Sequence, residues 1–567
     1  MRLVKKKSFI PVIAVCVCVS VIGFLSETAA AELANSQLQG LRVHTVEGVL
    51  RLSADQIDLG TAALIISRNW GTSKTLHTYR RKIDSMAEEI QRRLNEKKIP
   101  LDARAVPEIN RYLFEELKFR SVKTADNPED LFLHTVLDQK RGYCLSLSVL
   151  YLAIGERLGL PLYGVVVPGH FFVRYDDGTV RFNIETTAGG GTAEDDYYRD
   201  TFKPPAGHNL YMTNLNKRQT LGCFFNNLGN SYKSVGQMDQ ALLELTRAVQ
   251  INPTLAEART NLGNIFLQKG QIEQAVREYR QALRILPNDP KTLNNLGNAY
   301  LQQNDLESAA QTYLRALDFD PTLTDAHRNL AHVYRRQGQV DKAFEHLRTA
   351  VELAPQEADN YLALGRLYGE TKNLPAAQEM LSKALFYNPA LTAAHIELGN
   401  VYLEMNRTDW ALEEFTAALQ NNDVLAVYAW FGLASAYHQQ KQYEEAANAY
   451  RQVLARDPQN TAALQNLGNV LLDVGEIEQA ISIYQQAIQI SPNSGLYYNL
   501  AAAYLRQKQY EKARTAYQEA VRLEPNYAAA HHGLAVCYYY LNDKPACRKH
   551  AQIARSLGWD VEEELLK

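Results

Sequence analysis

The chain has 567 residues, 46% hydrophobic and 22% charged, the mix of an ordinary folded protein, and it is too long for one core, so at least two domains are expected. A formal net charge of −3 and the lack of a long Lys or Arg run after the amino terminus leave no electrostatic footprint for nucleic acid. Six cysteines over this length do not make a disulfide scaffold.

Residues 1–31 read as a secretory signal. Arg2, Lys5, Lys6 and Lys7 give the basic start, Phe9 to Leu25 the apolar run, and Ala29-Ala30-Ala31 a small-residue cleavage site. Phe9 to Leu25 is only just long enough to span a bilayer, so an uncleaved anchor is the competing reading; Pro11 and the alanine run favour cleavage. The expectation is an exported protein, periplasmic or secreted, whose mature chain begins near Glu32 and has no further stretch able to cross a membrane.

Residues 32–215 form the first expected domain. Helical periodicity runs over Leu76–Leu94, Val106–Leu117 and Leu145–Leu158, and strands follow at Leu162–Val167, His170–Tyr175 and Thr179–Glu185. This is an α+β order like that of papain. Cys144 opens the third helix, after Arg141-Gly142-Tyr143, where unpaired amides and the positive end of the helix dipole favour a thiolate. The plainer reading is a small buried residue at a helix start.

Asp177-Gly178 suits a two-residue hairpin turn. Counting outward from it pairs Asp176 with Thr179, Tyr175 with Val180 and His170 with Glu185, whereas a three-residue loop would set His170 opposite Ile184. A thiol, an imidazole and a carboxylate in the order Cys144, His170, Glu185 can build a nucleophilic triad. Gly189-Gly190-Gly191 has no strand-to-helix phosphate fingerprint around it and reads as a flexible loop near the site.

Gly-Tyr-Cys opening a helix, Gly169-His170-Phe171-Phe172 on a strand and Phe182-Asn183-Ile184-Glu185-Thr186-Thr187 on the next resemble the transglutaminase-like superfamily, whose usual order is Gly-x-Cys, His, Asp-x-Thr. The helices from about Asp58, with Arg141-Gly142 and Leu145-Ser146-Leu147-Ser148, resemble its SirB-type bacterial branch. The resemblance covers most of residues 55–195 and implies Cys144 as nucleophile, His170 as general base and Glu185, in place of the more common Asp, as orienting acid. By analogy with papain-like thiol enzymes, Gln139 would donate to an oxyanion beside the Cys144 amide. Many SirB-type members lack the cysteine, and retention of all three groups moves this chain toward activity.

From about residue 220 the chain repeats. Gly229, Gly263, Gly297, Ala331, Gly365, Gly399, Ala434, Gly468, Ala501 and Ala535 recur at a period of 34, with one-residue adjustments before Ala434 and Ala501. A second small residue follows twelve positions later, from Ala241 to Cys547, and prolines from Pro253 to Pro525 close most units, Asp423 departing from the pattern. Together these resemble ten tetratricopeptide repeats over residues 220–560, an all-α superhelix with a concave surface, ended by a capping segment at 561–567. Asn227, Asn261, Asn295 and Asn329, and later Asn466 and Asn499, hold one position of the first helices. They resemble the asparagine ladder that holds peptide backbones in O-linked N-acetylglucosamine transferase; the alternative is repeat consensus, with each amide bonded within or between helices. Cys537 and Cys547 are either a disulfide across one hairpin or two buried thiols.

Two functions follow as expectations. In one, Cys144 attacks an acyl group, giving peptidase or amidase chemistry with water as acceptor and crosslinking with an amine, while the repeats recruit a protein or extended peptide. In the other, a non-catalytic adaptor, both domains mediate protein–protein interaction in an envelope or extracellular complex. No cofactor or metal is expected, and the oligomeric state is open.

Overall fold

The computed structural model describes residues 40–67, 75–124, 127–204, 210–421 and 424–567. The expected signal segment and Asp423 lie outside them. The chain divides into two compact units, residues 1–326 and 327–567.

In the first unit, α1 (Leu59–Ile66), α2 (Leu76–Glu96), α3 (Val106–Asn110) and α4 (Leu133–Gln139) surround α5 (Cys144–Leu158). The helix expected over Val106–Leu117 exists, but past Asn110 it widens into a π-helical stretch over Arg111–Glu116. Thirteen residues of α5 are buried, which suits a segment apolar on nearly every side. Its start is fixed by Ser146 Oγ, which accepts from the Tyr143 N–H at 2.9 Å and donates to the Asp130 carbonyl at 2.9 Å. It ends at Gly159, left-handed at φ 72°.

The strands β1 (Leu162–Val167), β2 (His170–Asp176) and β3 (Arg181–Ile184) form one antiparallel sheet in that order. The register of β2 with β3 departs from the expected one: Asp176 pairs with Arg181, Tyr175 with Phe182 and Val173 with Ile184. The loop is four residues, not two. The Asp177 carboxylate accepts from the N–H groups of Thr179 and Val180 at 2.8 and 2.7 Å, and the Asp177 N–H donates to the Val180 carbonyl, which holds the wider turn closed. The shift is by two residues, so every side chain keeps its face.

Beyond the sheet come α6 (Asp195–Phe202), α7 (Lys217–Ser234), α8 (Met238–Ile251) and α9 (Ala256–Gln268). One apolar core runs from Val49 through Cys144 and Ile184 to Leu228 and Ile265, so the first repeat helices share their interior with the α+β domain. Polar ties cross the same junction, Lys217 Nζ donating to the Ile57 carbonyl at 2.7 Å and pairing with Glu156.

Among the described residues, twenty helices from Lys217–Ser234 to Lys544–Ser556 make ten hairpins, as the period requires. The small residues mark where paired helices meet. A Cβ on Gly263 would lie 2.6 Å from the Tyr279 ring, and one on Gly297 2.5 Å from Tyr313. In the second unit, Cys537 and Cys547 are free and buried, which resolves their two readings in favour of thiols. Val561 and, within the terminal turn Glu563–Leu566, Leu565 cover Ala551 and Ala554 of the last hairpin. Among the described residues no helix is long and apolar enough to cross a membrane.

Candidate functional site

Three elements bring three side chains together. Cys144 stands at the first position of α5, His170 opens β2, and Glu185 follows β3 at the N-cap of a short 3-10 turn, Thr186–Ala188. His170 Nε2 lies 2.7 Å from Glu185 Oε2, and Cys144 also acts on the imidazole, favouring its charged form. With Nε2 committed to the carboxylate, Nδ1 is the ring nitrogen left for sulfur.

Glu185 is fully engaged. Its Oε1 accepts from the Thr187 N–H at 3.0 Å and from Thr187 Oγ1 at 2.5 Å, and its Oε2 accepts from Tyr198 OH at 3.1 Å besides the imidazole. The glycines after it form a bonded turn in place of the expected flexible loop: the Glu185 N–H donates to the Gly191 carbonyl at 2.7 Å and the Gly190 N–H to the Glu185 carbonyl at 2.9 Å. Gly190 has φ +82°, and a Cβ there would lie 2.3 Å from the Asn110 carboxamide carbon.

Burial disfavours the charged imidazole, but Glu185 and Cys144 beside it outweigh burial, and the pKa of His170 is pushed up to about 9. Burial raises and the bonds to His170 and Thr187 lower the Glu185 carboxyl, with a net result below the usual carboxylate value. The pair is therefore imidazolium and carboxylate at neutral pH. Cys223 is also buried, and burial first and the Glu257 carboxylate second push its thiol well above the ordinary range.

Several residues of this site carry no sequence motif that names them. The His170 ring stacks on Phe202 at 5.0 Å and lies 6.2 Å from Tyr198, which itself stacks on Phe172 at 3.8 Å. The signal for Tyr198 and Phe202 is their i, i+4 spacing on α6. That helix is anchored by the fully buried Arg174, whose guanidinium bonds Asn183 Oδ1 at 2.7 Å, Asp195 Oδ1 at 2.6 Å and the Met212 carbonyl at 2.8 Å.

Gln139 is not brought to this group. It ends α4 with an exposed side chain and does not line the cleft, because the left-handed Lys140 (φ 55°) turns the chain before Cys144. The cleft itself measures about 1000 Å³ and is lined by Cys144, His170 and Phe202 on one side and by Asn227, Asn230 and Asn261 of the first repeats on the other.

The asparagines expected as a ladder divide. Asn261 Nδ2 donates to Asn226 Oδ1 at 2.9 Å, Asn295 Nδ2 to Asn264 Oδ1 at 3.0 Å and Asn499 Nδ2 to Asn469 Oδ1 at 3.1 Å, so these three tie neighbouring helices together. Asn466 acts on the Tyr450 hydroxyl, favouring its ionised form, and Asn329 lines a smaller cavity of about 300 Å³ in the second unit. Asn227 faces the Cys144 cleft. Among the described residues no His, Cys, Asp and Glu cluster could hold a metal ion.

The transglutaminase-like superfamily model matches residues 77–221. Tetratricopeptide repeat models match 229–270, 263–304, 297–338, 322–385, 396–449, 437–504 and 495–527. A UPF0162 protein of Xylella fastidiosa (strain 9a5c) is 27% identical over 216 residues, 36% of this chain and 75% of that one. F-box only protein 21 of Mus musculus is 36% identical over 81 residues, 14% of this chain and 13% of its own. Among solved structures, a tetratricopeptide repeat protein from Parabacteroides merdae is 19% identical with a TM-score of 0.35, covering 44% of this chain and 98% of that one. Yeast Tom70 is 16% identical with a TM-score of 0.32, covering 61% and 86%. The amino-terminal part of the chain is a transglutaminase-like domain, and an array of tetratricopeptide repeats follows it.

Proposed function

We propose that this is an exported thiol enzyme of the SirB-type branch, acting on acyl groups through Cys144 while its repeats bind protein or peptide partners. The observation that carries the reading is the 2.7 Å contact of His170 Nε2 with the Glu185 carboxylate in the cleft that Cys144 also lines. In its neutral form His170 takes the thiol proton, and the sulfur attacks the carbonyl carbon of an amide. The oxyanion that forms lies at the start of α5, where the Cys144 N–H has no intrahelical acceptor. Collapse breaks the C–N bond, the departing amine takes the proton from His170, and a thioester remains. Water or a second amine then attacks the thioester, His170 accepts its proton, and the thiol is regenerated.

Export rests on the basic, apolar and small-residue order of residues 1–31. The second reading, a scaffold in which both domains bind partners without chemistry, is favoured by one observation: Cys144 is only 3% exposed.

The test is to incubate the purified full chain with an unfolded, carboxamide-rich protein and a fluorescent primary amine. Ammonia release that needs both Cys144 and His170 is expected, with fluorescence entering the protein if an amine is the acceptor. Ammonia release equal in the wild type and Cys144→Ala contradicts the enzyme reading.

A further inference from the structure

The repeat side of the Cys144 cleft holds a carboxyl group without a cation. Glu257 stands in the first turn of α9, half-buried, and lines the cleft together with Cys144 and His170. Its Oε1 accepts from Tyr211 OH at 2.5 Å, whereas among the described residues its Oε2 makes no hydrogen bond and is not sealed from solvent. Lys291 acts on Glu257 from a distance and Lys203 also lines the cleft, but both side chains are exposed and neither forms an ion pair with it. Asp289 and Asp320 line the same wall with their carboxylates taken up by local turns, Asp289 accepting from the Thr292 N–H at 2.9 Å and Asp320 from the Thr322 N–H at 3.0 Å.

Burial, with Asp289 beyond it, raises the Glu257 carboxyl above its ordinary value in spite of the Tyr211 hydroxyl. The charged form is thus disfavoured by lost hydration and by a like charge, and a cation entering the cleft beside it offsets both. Tyr211 ties this carboxyl to the catalytic sheet. Its backbone pairs with Val166 of β1, and Val166 and Val167 pair in turn with Phe171 and His170 of β2. Neighbouring strands are about 4.8 Å apart, so the Tyr211 backbone lies roughly 10 Å from Phe171 across β1. An extended chain covers that distance in about three residues, and the long stem of a lysine or arginine absorbs the remaining offset.

We infer that Glu257 binds a lysine or arginine side chain of the polypeptide substrate, about three residues from the side chain that Cys144 attacks. The inference rests on the reading of Cys144 as the nucleophile. Glu257 is a specificity-determining residue: it meets the substrate away from the reacting carbonyl, so the first repeats select which segment of a polypeptide is presented to the thiol.

The test follows alkylation of Cys144 in the full chain by a chloroacetamide carried on the central side chain of a short, otherwise neutral peptide. Two such peptides place a lysine three positions before or after the centre, and their matches carry acetyl-lysine, which keeps the stem and removes the charge. The sulfur displaces chloride, and saturation kinetics separate KI, which reports peptide binding, from the limiting rate, which reports thiol activation. In the wild type, one lysine peptide should have a KI about tenfold below that of its acetyl-lysine match. Glu257→Gln, which keeps an acceptor for Tyr211 OH, should bring that ratio close to one. A merely structural role for Glu257 would raise both constants together and leave their ratio as it was. Equal KI for the lysine and acetyl-lysine peptides in the wild type, or a preference for lysine that survives Glu257→Gln, overturns the inference. A limiting rate that is the same in the wild type and His170→Ala overturns the nucleophile reading instead, and the two failures fall on different constants.

Discussion

His170 and Glu185 are not partners in the strand register, yet His170 Nε2 and Glu185 Oε2 are 2.7 Å apart. The last paired residues are Val173 and Ile184, and one more step would set Glu185 opposite Phe172, two residues from His170. An imidazole and a carboxylate two positions apart along one face meet on the diagonal, a contact that the longer Glu side chain can bridge.

This contact gives the fold a pH dependence. The pKa of His170 is raised from its ordinary value to about 9, so its bonds contribute stability that is fully present below about pH 6.5 and lost as pH rises through 9. Urea unfolding of wild type and His170→Ala should differ more below pH 6.5 than above 9, by on the order of 3 kcal/mol.

Glu185→Gln keeps the size of the side chain and removes the charge that holds the imidazolium. The rate of Cys144 alkylation at neutral pH should fall by at least about tenfold, because the orienting carboxylate is lost. Stability should fall by about 1–3 kcal/mol, since a Gln amide cannot accept from every donor now aimed at Glu185. Alkylation kinetics and denaturant melts measure the two effects.

Tyr198→Phe deletes one donor to Glu185 Oε2 and keeps the stack on Phe172. It should lower stability by about 1 kcal/mol and change the pH profile of Cys144 alkylation. A profile identical to that of the wild type would place Tyr198 outside the proton balance of the site.

Gly190→Ala puts a side chain at φ +82° against Asn110. A loss of about 2–4 kcal/mol in thermal or urea unfolding is expected, with slower Cys144 alkylation as Glu185 loosens.

Much of this was legible in the chain. The apolar runs gave α2, α5 and β1 nearly to the residue, because each is bounded by a proline, a glycine or a polar cap. The fixed period showed the repeats, because each hairpin needs its small residues where the helices touch. The hairpin register was missed because an acceptor on Asp177 captured two backbone amides and widened the turn. The grouping of His170 with Glu185 outlasted that error only because the slip was even. Gln139 was misplaced because a left-handed Lys140 separates α4 from α5, and sequence spacing does not reveal that turn. The aromatic wall from α6 was invisible because it depends on Arg174, a charge buried by tertiary contacts alone.

The most direct measurement compares two thiols in one molecule. Cys144 and Cys223 line the same cleft and are both buried, at 3% and 5% exposure, but only Cys144 faces an imidazole. Limited alkylation of the native chain with iodoacetamide, read by peptide mass spectrometry, gives their relative rates. The account predicts that Cys144 reacts at least about a hundredfold faster, and that His170→Ala removes most of that advantage. Equal rates at the two cysteines in the wild type, or a ratio unaltered by His170→Ala, would contradict it.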